Sequence, residues 1–499
     1  MRLSMQLPHA VLLIAFAPCA VMAQDAASST MPTPLDATTH DAVVKLGGQI
    51  MLAGKAYEYD RMLSDELGPR LTGSDNYMKA ADWATGEFKR LGLANVHEDP
   101  WEIANTWEPE VWATGRILAP REMRLHLESD GWSASTPKGG VRGNVYHLKA
   151  LSADGIKAEL GQIKGSIVLL DRDSLEAGGP LLVGKALDLF STMEDAGAKA
   201  FLLGVGDREN VSVMIGIGGG NGTLSRVPVG NVGKEDTLLL RRMLDKGPVE
   251  VEFSFKNRVR EHVKVPNVVA DIPGTDGSGE YVLIGGHLDS WQLGTGAEDN
   301  GTGAATVLAV AQAVKASGIQ PKRTLRFVLF GGEEEGLLGS IHYAQMHAGE
   351  MDKCAGVFIT DTGSEAPKGW YTFGRDDEKQ ALGTLKPVLG ELGADDTSDE
   401  GRFTFSTDHG PFLIHGVPAF VLWTPVDEYF KLHHKPSDTF DKVNQRDLNL
   451  GAAVVGVTAL AFADAQQPLK HFSQAEMEDQ LKKIKSFDEY KDMVDHKMF

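Results

Sequence analysis

Thr324-Leu325-Arg326-Phe327-Val328-Leu329-Phe330-Gly331-Gly332-Glu333-Glu334-Glu335-Gly336-Leu337-Leu338-Gly339-Ser340 passes from an apolar run into three adjacent acids. Residues 324–330 have the length and the apolar content of a buried strand. Residues 336–346 read as a helix. The carboxylates between them stand where the chain leaves a hydrophobic element, and like charges at that range raise one another's pKa. Two readings account for them. Either they are acids favoured by the dipole at a helix N-terminus, or they hold a cation that removes the repulsion.

The same alternation continues on both sides. Residues 281–286, 355–360 and 417–423 read as strands, and 303–317 as a helix rich in Ala and Val. Near-continuous apolar strands separated by helices predict an α/β domain with a mixed, centrally parallel sheet and helices on both faces. Upstream lie an amphipathic helical pattern over 43–52, a breaker-rich loop over 67–74, a second helix over 78–91 and a strand over 96–103. From about residue 120 to 264 the texture changes. Short β-like runs at 143–148, 166–170 and 199–203 alternate with Gly-rich turns, and one helix stands at 183–196. The expected organisation is therefore a signal peptide at 1–23, an N-terminal part of the main domain at 24–119, a smaller β-rich inserted domain at 120–264, a catalytic domain at 265–470 and a helical tail at 471–499.

The chain has 499 residues, too many for one ordinary core. Its formal net charge of -20 argues against a nucleic-acid partner, which needs a basic face. Arg2, the apolar run at 10–16 and Val21-Met22-Ala23 before Gln24 read as a secretory signal. That run is too short to span a bilayer. The expectation is an exported protein, periplasmic or extracellular, with no membrane span. Cleavage after Ala23 leaves Cys354 as the one cysteine, so stability must come from packing or metal rather than an internal disulfide. Cys354 precedes an apolar run and reads as a small buried residue rather than a nucleophile. Residues 179–186 approach a phosphate-binding loop, but Ala186 lacks the hydroxyl that magnesium needs. There is no HExxH and no GxSxG.

Five segments carry donor side chains, each at a strand end or in a loop, which is where open α/β sheets build their sites. His287 follows the strand at 281–286, and an imidazole suits zinc. Asp289, two residues on, points the same way in extended backbone and can take the other ring N–H. Alone, this pair reads equally well as a structural histidine. Asp299 and Asn300 stand just before a helix, where alone they are a turn and a cap. Glu333 and Glu334 belong to the acidic run, Asp361 stands at another strand end, and His433 and His434 share a polar loop with Asp438. Two histidines and at least three carboxylates make a mixed N/O donor set that suits zinc, with manganese or cobalt as alternatives.

Taken in order, His287-x-Asp289, Asp299-Asn300-Gly301, Glu333-Glu334-x-Gly336-Leu337-x-Gly339-Ser340, Asp361 and His434-x-x-x-Asp438-Thr439 resemble the co-catalytic two-zinc exopeptidases, the family of leucyl aminopeptidases and glutamate carboxypeptidase. The resemblance covers roughly 265–443. Leu67-Gly68-Pro69-Arg70-Leu71-Thr72-Gly73-Ser74 and His287-Leu288-Asp289-Ser290-Trp291 are similar to its carboxypeptidase Q branch, and the inserted region resembles a protease-associated domain. The resemblance implies two zinc ions per chain. Asp299 would bridge them, His287 and Asp361 would complete one site, and Glu334 and His434 the other. His434 is preferred to His433 because it stands four residues before Asp438, as the family pattern requires. Glu333 would be the general base and Asp289 the support of His287. The implied activity is hydrolysis of dipeptides or short peptides with free termini, and homodimers are common in the family. The alternatives are an aminopeptidase of the same family, a two-zinc enzyme of other chemistry such as glutaminyl cyclisation, and an inactive binding ectodomain on this scaffold. The family's Ser-Asp-His is here Ser406-Thr407-Asp408-His409, and both His409 and Tyr429 are candidates for steadying the oxyanion.

Overall fold

The computed structural model describes residues 35–179, 182–206, 213, 214, 216 and 222–499. The signal-peptide reading at 1–23 lies outside them, as does most of the Gly-rich run at 216–220.

At the centre of the sheet is Tyr281–His287, buried at every position. Thr324–Phe330 and Cys354–Ile359 flank it as parallel neighbours, and Ala419–Trp423 continues the parallel order. Antiparallel strands close this set, Gly369–Tyr371 beyond Ala419–Trp423 and Glu250–Ile272 beyond Thr324–Phe330. This is the mixed, centrally parallel sheet that the uninterrupted apolar runs predict. Successive side chains serve opposite faces. Val282 and Ile284 join a core with the helices Ala37–Ala53, Thr302–Ser317 and Gln445–Asp464. Leu283 joins the opposite core, which draws on the helices Leu338–Met346, Gln474–Lys483 and Phe487–Asp495. Helix Gln445–Asp464 is long and apolar enough to cross a membrane by composition, and it is buried here as a core element. Cys354 is a buried free cysteine, and burial pushes its thiol up to about 12, so it packs as a small apolar group.

Two long strands depart from expectation. The strand anticipated at 96–103 is the first part of Ala94–Ala119, which pairs antiparallel with Glu250–Ile272. Register shifts near Pro109, Val111 and Thr114 break the period-two pattern, so the outer half is not recognisable from alternation. The inner half of this ribbon completes the main sheet. The outer half carries the segment between its strands. There Val141–His147, Ile167–Asp171, Ala200–Gly204 and Val229–Val232 run parallel, with Leu127–Ser129 antiparallel at the edge. Helices Ala153–Ile163 and Val183–Asp195 cover one face of these strands, and Lys234–Leu244 and the ribbon cover the other. This segment therefore has cores of its own, and it is richer in helix than its Gly-rich texture suggests.

Candidate active site

Three neighbouring parallel strands end at the same edge, and their exits carry the donors. His287 closes the central strand, Glu333 and Glu334 follow Thr324–Phe330, and Asp361 follows Cys354–Ile359. Asp299 comes from the turn Ala297–Gly301 that feeds helix Thr302–Ser317. That helix starts tight against the strand ends. A Cβ on Gly303 would lie 2.3 Å from the Thr360 carbonyl oxygen, so only glycine fits there. Main-chain bonds fix the turn: the Asp438 carboxylate accepts from the N–H of Glu298 at 2.7 Å and of Asp299 at 3.2 Å. The Asn300 side-chain amide donates to the Thr360 carbonyl at 2.8 Å.

Asp299 stands between two imidazoles and presents one oxygen to each. Its Oδ1 is 3.3 Å from His287 Nε2, and its Oδ2 is 3.4 Å from His434 Nε2. Around His287 Nε2 lie Asp361 Oδ1 at 3.2 Å and Glu333 Oε2 at 3.8 Å. Beside His434 Nε2 lies Glu334 Oε2 at 3.0 Å. His433 is stacked on His434 with ring centres 3.6 Å apart, and its Nε2 is 3.6 Å from Asp299 Oδ2. Two donor groups result, His287 with Asp299 and Asp361, and Asp299 with His433 and His434, and they share Asp299.

The electrostatics ask for a cation. Burial pushes the carboxyls of Glu333, Glu334 and Asp361 up, and neighbouring carboxylates reinforce each shift. Burial opposes the charged form of His287, but the Asp361 and Glu333 carboxylates outweigh it and raise its pKa well above the ordinary value. Burial also acts on Asp299, and the surrounding imidazoles overcome it and hold this carboxyl below the ordinary range. Asp299 Oδ2 is buried and accepts no hydrogen bond among the described residues. Imidazole nitrogens and carboxylate oxygens converging on one centre are the donor set of a divalent metal such as zinc, so the residues fit such an ion.

Residues 267–458 match the model of peptidase family M28. The chain is 29% identical over 430 residues to carboxypeptidase Q of Mus musculus, covering 86% of this chain and 90% of that one. The crystal structure of a peptidase M28 precursor from Shewanella amazonensis superposes with a TM-score of 0.76 at 27% identity, covering 87% of this chain and 99% of that one. The chain is a metallopeptidase whose residues 267–458 resemble peptidase family M28. A zinc aminopeptidase from Bacillus subtilis shares the fold, with a TM-score of 0.63 at 22% identity over 81% of this chain and 93% of that one.

Around these donors runs a second set of contacts from distant segments. His287 Nδ1 lies 3.1 Å from the Asp289 carbonyl oxygen and 3.4 Å from its carboxylate, so main chain and side chain of Asp289 both face the ring. The other carboxylate oxygen of Asp289 accepts from Thr72 Oγ1 at 2.8 Å and from the Glu334 N–H at 3.3 Å. Thr72 Oγ1 in turn accepts from the Gly332 N–H at 2.8 Å. One hydroxyl thus ties the support of His287 to the turn that delivers Glu333 and Glu334. Arg70, fully buried, donates to the carbonyls of Leu288 at 2.9 Å, Thr295 at 2.9 Å and Gly296 at 2.8 Å. It pins the strand exit after His287 and the loop before Asp299. His434 Nδ1 is 3.0 Å from the Met214 carbonyl, which turns Nε2 towards the carboxylates. Sequence reasoning gave no role to Arg70, Thr72 or Met214. The first two were visible only as part of the 67–74 motif.

A cavity of about 480 Å³ opens above the donors. Asp299, Glu333, Glu334, Asp361, His433, His434 and Tyr429 line it. The third acid of the run, Glu335, is buried away from it. Of the two oxyanion candidates, only Tyr429 borders this space. His409 is buried and stacked on Phe373 with ring centres 4.5 Å apart, and burial pulls its pKa down to about 3.

Proposed function

We propose that this metallopeptidase is a two-zinc exopeptidase that cleaves dipeptides and short peptides with free termini. The observation that carries the reading is Asp299, with one oxygen towards each of two imidazoles and a further carboxylate beside each imidazole. His287, Asp361 and Asp299 would hold one ion, and Glu334, His434 and Asp299 the other. A bound pair of such ions would polarise a peptide carbonyl and make water nucleophilic at neutral pH.

The chain's own residues would do the rest. Glu333, the cavity-lining acid beside these donors, takes the proton of the attacking water and passes it to the leaving amine. The Tyr429 hydroxyl, kept protonated by burial and the nearby carboxylates, donates to the oxygen on which charge develops. Asp289 keeps His287 Nε2 aimed at the cluster. A cavity of about 480 Å³ suits a ligand of small-molecule size, which favours short peptides over folded chains. The same reading includes export under the signal at 1–23, a protease-associated domain at 120–264 and a homodimer.

The test counts metal on the purified protein while assaying a dipeptide panel with and without chelator. About two zinc ions per chain, as a co-catalytic pair requires, with chelator-sensitive cleavage is the expected result. Two ions without peptide cleavage would redirect the reading to cyclisation or other amide substrates. Absence of bound metal would overturn it.

A further inference from the structure

The wall of the cavity is not built by the M28-like domain alone. Val183, at the start of helix Val183–Asp195, lines it, and so do Met493 and Met498 from the last helix and the residues after it. These three lie outside the 267–458 match. Met493 and Met498 share an apolar cluster with Phe405, which also faces the cavity and packs on Tyr490 and Phe499.

Two polar contacts clasp the two outlying segments together. The Gly184 N–H donates to Asp492 Oδ2 at 2.8 Å, and His496 Nε2 lies 3.2 Å from Asp188 Oδ2. The fit is close: a Cβ on Gly184 would stand 2.1 Å from the His496 ring. Asp492 and Met493 are both buried, so the clasp and the cavity wall are two sides of one helix. Methionine is flexible and polarisable, which lets one wall accept different apolar shapes.

We propose that Met493 and Met498 of the tail, with Val183 of the inserted segment and Phe405, form a side-chain pocket that selects peptides with an aliphatic or aromatic residue beside the scissile bond. The Gly184–Asp492 and Asp188–His496 contacts keep that pocket assembled. This rests on the peptidase reading above and adds the substrate class to it. The tail and the inserted segment, together with Phe405 of the matched domain, then set selectivity.

The test compares kcat/KM for leucyl-leucine and alanyl-alanine in the full chain, alongside zinc content, for wild type, Met498→Ala and the double variant Asp188→Ala/His496→Ala. Met498 is only half-buried and Asp188 and His496 form an outer contact, so the variants are expected to fold. The expected result is unchanged zinc content and a preference for leucyl-leucine reduced about tenfold, the discrimination a few apolar contacts supply. Met493→Ala, deeper in the wall, should move the ratio in the same direction. An unchanged ratio in all three variants, or an equal fall for both substrates, overturns the pocket while leaving the peptidase reading intact. A wild type that binds zinc and cleaves neither dipeptide overturns both.

Discussion

The strand-end cluster and the shell around it are built by opposite rules. His287, Glu333, Glu334 and Asp361 follow apolar strands and Asp299 precedes a helix within 267–458, so the sheet and its first helix deliver them, while His434 comes from the loop after the short helix Tyr429–Leu432. The shell is supplied from 70 and 72, from 183 and 214, and from 493 and 498, segments that the sheet alone would not bring near. On the proposed reading the cluster carries the chemistry. The shell decides how tightly that chemistry is aimed and what reaches it.

The largest effect should come from the cluster's shared residue. Asp299→Ala removes the carboxylate common to both donor groups, so both ions and all activity should be lost, read by metal analysis of the purified variant. Undiminished metal content would break the bridging assignment. Next in size is Glu333→Gln, which should keep metal and lose activity by about 10²–10⁴-fold, the usual worth of a positioned general base. Full activity in that variant would return the role to another group.

Thr72→Val probes the shell. The methyl fills the space of the hydroxyl, but a buried Asp289 oxygen loses the shorter of its two hydrogen bonds and the Gly332 N–H loses its acceptor. The expected cost is about 1–3 kcal/mol of stability and about 10–100-fold in metal affinity. Thr72→Ser should restore both. If the valine variant binds metal like the wild type, the shell packs the site without orienting it.

How far the sequence could be read follows the same division. Val282, Leu283 and Ile284 announce a strand buried on both faces, because such a strand has no polar side to show. His287, Asp299, Glu333, Glu334 and Asp361 could be named as candidates because strand ends and the loops beside them are where α/β sheets place their sites, His434 was separated from His433 only by the resemblance, and the structure brings all six together. The long ribbon was not legible past residue 103, since its outer half is bulged and partly exposed. The Thr72–Asp289 bond joins residues 217 positions apart, and no spacing rule reaches that far. Nor does charge or hydropathy reveal that Met493, in a charged tail, faces the cavity.

His409 offers the smallest and sharpest test of the division, because it lies within the family domain and yet belongs to the packing. Its ring is stacked on Phe373 and burial lowers its pKa from an ordinary value near 6.5 to about 3. The fold therefore favours the neutral imidazole. Its contribution is intact above the unfolded pKa and is lost as pH falls from about 6.5 towards 3, with a slope of at most about 1.4 kcal/mol per pH unit. His409→Phe keeps an aromatic face against Phe373 and removes the titration. Between pH 7 and pH 5 the variant should lose about 2 kcal/mol less stability than the wild type in urea unfolding. Its peptidase activity at pH 7 should be nearly unchanged, because the ring does not border the cavity. Parallel stability curves would remove the buried neutral imidazole. A large loss of activity at unchanged stability would instead move His409 from the packing into the site and blur the line between cluster and shell.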